Sequence, residues 1–264
     1  MQEAFYFGGA ARSLFGVLHE PPNGGDGVVV VCPPLWREGI RSHRVLRQLG
    51  VRLAKLGHTV LRFDYSGAGD SGGESEHGDV DVWLEDVAAA IDEVRRRTRA
   101  AHVTLLGLRF GATLAALAAA RRDDVARLVL WEPVVSGAPY LQAGAADQRA
   151  WAERYATWRR LPLAELPDGG DEILGFRVTE AMRRSIATVE LSELPRTARS
   201  VLLVERTALD PTGGLAFTLS ARGARVEHHV KTEAEVWKQQ EDEGLAGARE
   251  TLDLVAGWLE GSAP

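Results

Sequence analysis

Residues 107–111 read Gly107-Leu108-Arg109-Phe110-Gly111 and join a buried-type strand pattern, His102–Leu106, to an alanine-rich helix pattern, Ala112–Arg121. A sharp strand-to-helix turn leaves little room around its central residue. Glycines two positions before and two after permit such a turn, and the central side chain then projects into the pocket that the turn faces. Here that side chain is a guanidinium. Arginine keeps its proton at physiological pH and has no lone pair to give, so Arg109 serves neither as base nor as nucleophile. It can hold an anion or a carbonyl oxygen on which negative charge develops.

A charge projecting into a semi-enclosed pocket needs a counter-charge, because an isolated buried ion costs several kcal/mol or more. Three carboxylates stand at strand ends or loops expected on the same rim: Glu38, Glu132 and Asp210. Glu38 is the expected partner, with two parallel hydrogen bonds from the guanidinium, supported by Glu132 or Asp210. A carboxylate of raised pKa, Glu38 or Glu132, would then move a proton. Leu35, Trp36, Phe110 and Tyr140 are candidates to border the substrate, joined by Trp151 and Trp158, seven apart on a predicted helix and so on one face. Arg149, Arg154, Arg159 and Arg160 on that helix either form a solvated charged face or attract the anionic handle of a carrier-bound substrate.

The elements that must position these groups alternate. Ala4–Phe7 and Leu14–His19 flank a Gly8-Gly9 turn, as in an edge hairpin. Val28–Cys32 is a β-branched run without polar alternation, the pattern of a parallel strand buried on both faces. A helix is predicted over His43–Leu56, and the strand Thr59–Phe63 leads through a Gly-rich loop to a helix over Asp81–Arg97. After the Arg109 turn come the strand Arg127–Trp131 and then, from Val135 to Arg196, helical pieces rich in Trp and Arg. The alternation resumes with the strands Ser200–Glu205 and Arg225–Lys231 and helices near Gly213–Ala221 and Gly247–Leu259. This order predicts an α/β fold: a mostly parallel sheet of about eight strands with helices on both faces. Residues 1–134 and 197–264 form the core, and 135–196 an inserted helical lid.

With that order in place, VTLLGLRFGATLAALAA resembles the nucleophile elbow of the α/β-hydrolases. LRFDYSGAGDSGG is similar to the loop after the preceding strand, and Cys32–Glu38 stands where that family builds its oxyanion hole. GLRFGATLA and LVLWEPVVSGAPYL resemble more specifically the serine-aminopeptidase-like subset found beside exosortase and natural-product gene clusters, some members of which also carry Gly-Leu-Arg at the elbow. The resemblance covers nearly the whole chain and implies a catalytic serine where Arg109 stands. It also implies an acid after Ser200–Glu205, which Asp210 matches, and a histidine after the last strand. The loop Thr232–Trp237 holds no histidine, so the departure from the family pattern is double.

Other candidates have plainer readings. His228 and His229 fall on the last strand, facing opposite sides, and read as structural. Ser71 reads as a loop residue bonding backbone groups, and Cys32 as buried packing. No His, Cys, Asp and Glu spacing suggests a metal site, and no cofactor is expected. The net charge of −6 comes from mixed charges along the chain, which argues against nucleic acid or an anionic membrane as partner. One cysteine, no signal-type start and no long apolar run lead to an expectation of a cytoplasmic protein without a membrane span. Oligomeric state is not legible. Two functions remain open: a hydrolase-like enzyme of non-serine mechanism acting on an acyl or carbonyl small molecule, whether by hydrolysis, lyase or cyclisation chemistry, or an inactive pseudo-hydrolase that binds or assists in a biosynthetic pathway.

Overall fold

A computed structural model describes residues 1–9, 12–160, 171–207, 214–238 and 248–261. The β-branched run Val28–Val31 becomes the centre of β3 (Gly27–Cys32), buried on both faces as its lack of polar alternation requires. Around it pair β1 (Gln2–Phe7), β2 (Leu14–His19), β4 (His58–Phe63), β5 (Val103–Leu108), β6 (Val125–Trp131), β9 (Ser200–Glu205) and β10 (Arg225–Val230). The eight strands lie in the order β1-β2-β4-β3-β5-β6-β9-β10. β1 pairs antiparallel with β2 and β2 with β4, while all other pairings are parallel.

Alternate residues of the central strands feed two cores. On one face Val28, Val30 and Cys32 pack with α2 (Val80–Thr98) and α3 (Phe110–Arg121). On the other, Val29 and Val31 pack with α1 (Trp36–Lys55) and the last helix, α7 (Arg249–Gly261). Asp79 caps α2 by accepting the backbone N–H of Val82. Between β6 and β9 the chain makes α4 (Gly137–Arg159), a small hairpin of β7 (Glu172–Ile173) and β8 (Phe176–Arg177), and α5 (Glu180–Ala187). The short α6 (Leu215–Ala221) lies between β9 and β10. No helix among the described residues is long and apolar enough to cross a membrane.

Parallel register aligns the strand ends that matter. Cys32 sits opposite Gly107, Leu108 opposite Trp131, and Trp131 opposite Val204. The loops leaving β3, β5, β6 and β9 therefore open at one level, the carboxyl rim where open α/β sheets place their ligands. Among the boundaries that differ from the sequence expectation, two bear on the site. The first helix starts at Trp36 rather than His43; its first turns, Arg37 to Arg41, hold one apolar side chain, the exposed Ile40, and so show no apolar period, and the hydroxyl of Ser42 donates to the Glu38 carbonyl there. β5 runs to Leu108 instead of Leu106, so the strand leads straight into Arg109.

Candidate functional site

At the turn between β5 and α3, Arg109 adopts φ 54° and ψ −127°. Its N–H donates to the Trp131 carbonyl at 2.9 Å, and its own carbonyl accepts from Ala112 N at 2.9 Å and Thr113 N at 3.3 Å, starting the helix. The flanking glycines are obligatory for steric reasons. A Cβ on Gly107 would lie 2.4 Å from the backbone of Ala112, and one on Gly111 would lie 2.2 Å from the Cys32 carbonyl oxygen. The tight turn and its outward-facing central side chain thus follow from the spacing.

The guanidinium meets Glu38. Arg109 Nε donates to Glu38 Oε1 at 3.0 Å, and the side chains keep 21% and 19% of their surface. The pair is single-bonded rather than the expected parallel fork, because Glu38 Oε2 accepts instead from the Tyr140 hydroxyl at 3.1 Å. Nη1 of Arg109 points to the Glu132 carbonyl oxygen at 3.4 Å. Two rings close the other sides, Trp237 with its centroid 5.1 Å from the guanidinium carbon and Tyr140 at 5.9 Å. Burial works against the charge of Arg109, but Glu38, joined by Tyr140 and Glu132, outweighs it and the pKa moves up.

Glu132 sits at the carboxyl end of β6 with φ 48°, its N–H donating to the Val204 carbonyl at 2.8 Å. Its Oε1 is buried without a hydrogen-bond partner among the described residues. Burial pushes its carboxyl up to about 7, with Glu205 adding to the rise while Arg109 and the backbone of Arg206 pull it down. Glu205, at the end of β9, lies 2.9 Å from His228 Nε2. Register explains the pair: Val230 stands opposite Glu205, so His228, two residues earlier on β10, shares its face. His229 turns the other way and meets Glu227.

The structure groups some sequence candidates and separates others. Arg109, Glu38, Glu132 and Tyr140 converge. Trp36, with φ 54°, stacks on Tyr140 at 6.2 Å and 8° between planes. Leu35 caps α1 within the core, and Phe110 is fully buried between Tyr140 and Trp83. Trp151 and Trp158 flank Tyr155 on α4 and are exposed, Trp158 by 74%. Asp210 lies outside the described residues. Ser71 donates to the Asp64 carbonyl and accepts from Phe15 N, which makes it a loop brace. Cys32 is fully buried, its thiol pushed up to about 12 by that burial. Among the described residues no group of three His, Cys, Asp or Glu is placed to hold a metal ion.

Trp237 and the Glu205–His228 pair escape sequence reasoning. The pair had a signal in the last charged residue of one strand and a histidine on its parallel neighbour. Trp237 had none, since nothing local says that its loop folds back over the Arg109 turn.

Comparison with known proteins agrees with this fold. A solved esterase of Pyrococcus furiosus, Pf2001, superposes with a TM-score of 0.66 at 15% identity, covering 99% of this chain and 91% of that one. Est1E of Butyrivibrio proteoclasticus, solved with ferulic acid, gives 0.63 at 17% identity over 98% and 97%. DcsB, solved with a substrate analogue, gives 0.65 at 16% over the full length of both chains. The human mitochondrial palmitoyl-protein thioesterase ABHD10 is 49% identical over 39 residues, which span only 15% of this chain and 13% of that protein. The family described as serine aminopeptidase, S33, matches residues 26–190. The chain belongs to that serine aminopeptidase-like family of α/β-hydrolases.

Proposed function

We propose that the chain is an enzyme of α/β-hydrolase fold that acts on an acyl or carbonyl small molecule without a covalent serine step. Arg109 anchors the substrate's anionic or carbonyl oxygen, and Glu132 moves the proton. The observation that carries this reading is Glu132: a carboxyl at about 7, with a buried oxygen lacking a hydrogen-bond partner among the described residues, on the strand end whose carbonyl touches Arg109. At neutral pH such a group is divided between acid and base forms, the condition under which one carboxyl both takes and returns a proton. With water as the proton source the outcome is hydrolysis: Glu132 takes a water proton as the oxygen adds to the carbonyl, Arg109 holds the developing oxyanion, and the proton passes to the leaving group. With an acidic C–H in place of water, the same groups support enolisation and lyase or cyclisation chemistry.

Glu38 positions Arg109, Tyr140 positions Glu38, and Trp36 supplies an aromatic wall beside them. Residues 135–196 act as the lid over this rim. The exposed arginines of α4 offer a surface for a carrier-bound substrate.

The test is turnover of a panel of small acyl esters and thioesters by wild type, Glu132→Gln and Arg109→Ala. Both variants should lose roughly 100-fold or more in kcat, the loss seen when a proton-transfer group or an oxyanion donor is removed. Unchanged turnover in both removes the proposed site.

The alternative reading, a non-catalytic binding or accessory protein, has its own observation: the Arg109 charge is already balanced by Glu38, as in a plugged site. Absence of any turnover across the panel, together with ligand or partner binding that survives Glu132→Gln, favours it.

A further inference from the structure

A cavity of about 760 Å³ opens on the far side of the β3–α1 turn, between α1, β4 and the loop after β4. Neither Arg109, Glu38 nor Glu132 lines it. Its walls are largely apolar and aromatic, including Trp36, Phe63 and Trp83, and a volume of this size suits a small organic ligand.

Four charged side chains stand on that wall, Arg62, Asp64, Asp70 and Arg177, and Arg177 pairs with Glu76 at 2.8 Å. Arg62, on β4, is half-buried, and its two hydrogen-bond partners are imidazoles rather than carboxylates. Nε donates to His19 Nε2 at 3.0 Å, and Nη1 lies 3.5 Å from His43 Nε2. His19 is buried and neutral: burial, then Arg62, bring its pKa down to about 4. Among the described residues no carboxylate forms an ion pair with Arg62. Asp64 is the acid whose charge acts on it, and that carboxyl is itself half-buried and already accepts the Asp70 N–H at 3.1 Å. Arg109 in its own site has Glu38; Arg62 has a cavity.

We propose that this cavity is a second small-molecule site, sharing the Trp36 wall with the Arg109 site but none of its charged groups, for a monocarboxylate with an apolar body. The carboxylate binds the Arg62 guanidinium, whose planar fork matches it, and the apolar body lies against Trp36, Phe63 and Trp83. Asp64 and Asp70 on the same lining set the charge limit. They tolerate one negative charge opposite Arg62 and repel a phosphate dianion.

The probe is decanoate, titrated calorimetrically into the full chain, with decanol and decyl phosphate as comparisons. Wild type should bind decanoate saturably. Decanol, decyl phosphate and decanoate to Arg62→Gln should each bind at least about tenfold more weakly, the effect of losing one charge-assisted contact. Arg109→Gln should retain the decanoate binding that Arg62→Gln loses. Failure of wild type to bind decanoate at millimolar concentration overturns the proposal, as do equal affinities for decanoate and decanol or a loss confined to Arg109→Gln. If Arg62→Gln fails to fold, Ala68→Trp decides. Ala68 is an exposed residue of the lining, so a bulky ring there should abolish binding without disturbing the core, and unchanged binding in that variant refutes the site.

Discussion

Arg109 and Glu38, from the turn after β5 and the first turn of α1, meet through one hydrogen bond of 3.0 Å, and the second oxygen of Glu38 is held by Tyr140 rather than by the guanidinium. The pair is therefore a three-residue chain. Glu38→Gln removes the counter-charge of a mostly buried arginine and should destabilise the fold by about 1–3 kcal/mol, below the range for a fully buried pair because both side chains keep some exposure. Urea denaturation at neutral pH measures it, and an unchanged midpoint would mean that the pair contributes nothing.

The raised carboxyl of Glu132 has a sign that can be checked. Its ordinary value is 4.5 and its folded value about 7. A group that holds its proton more tightly in the folded chain adds stability that is fully present below the unfolded value and lost as pH rises through the folded one. Stability should thus decline between pH 4.5 and 7 on account of this group. Glu132→Gln should flatten that decline and be more stable than wild type at about pH 8 by on the order of 1–3 kcal/mol. Denaturation across a pH series reads the difference, and parallel profiles would refute the assignment.

Replacing Arg109 by serine restores the family's side chain without restoring its chemistry. Trp237 packs against the guanidinium at that position, and an indole donates but accepts no proton. Arg109→Ser should therefore label with a fluorophosphonate probe no more than wild type. Stoichiometric labelling of this variant at the substituted position would show that a base reaches the turn after all.

Gly111→Ala tests the turn itself. The added methyl would stand 2.2 Å from the Cys32 carbonyl oxygen and 2.3 Å from that of Pro33, both backbone atoms of a central strand end. A loss of roughly 3 kcal/mol or more, or no soluble protein, is expected. A melting temperature within a degree or so of wild type would contradict the close packing of the elbow.

The periodic parts of this protein follow from the order of its residues. Unbroken β-branched runs mark strands buried on both faces, and Gly107 and Gly111 around Arg109 mark a turn that only one backbone path satisfies. The need to balance a guanidinium pointed to Glu38, because charge in a low-dielectric site must be paired wherever it lies. The start of α1 was hidden, since its first turns carry no apolar period. Tertiary structure alone decided that Tyr140 takes half of Glu38, that Trp237 covers the guanidinium, that Glu205 meets His228, and that Arg62 faces a separate cavity. Those contacts depend on strand register and on loops folding back over the rim, and neither leaves a local pattern among neighbouring residues.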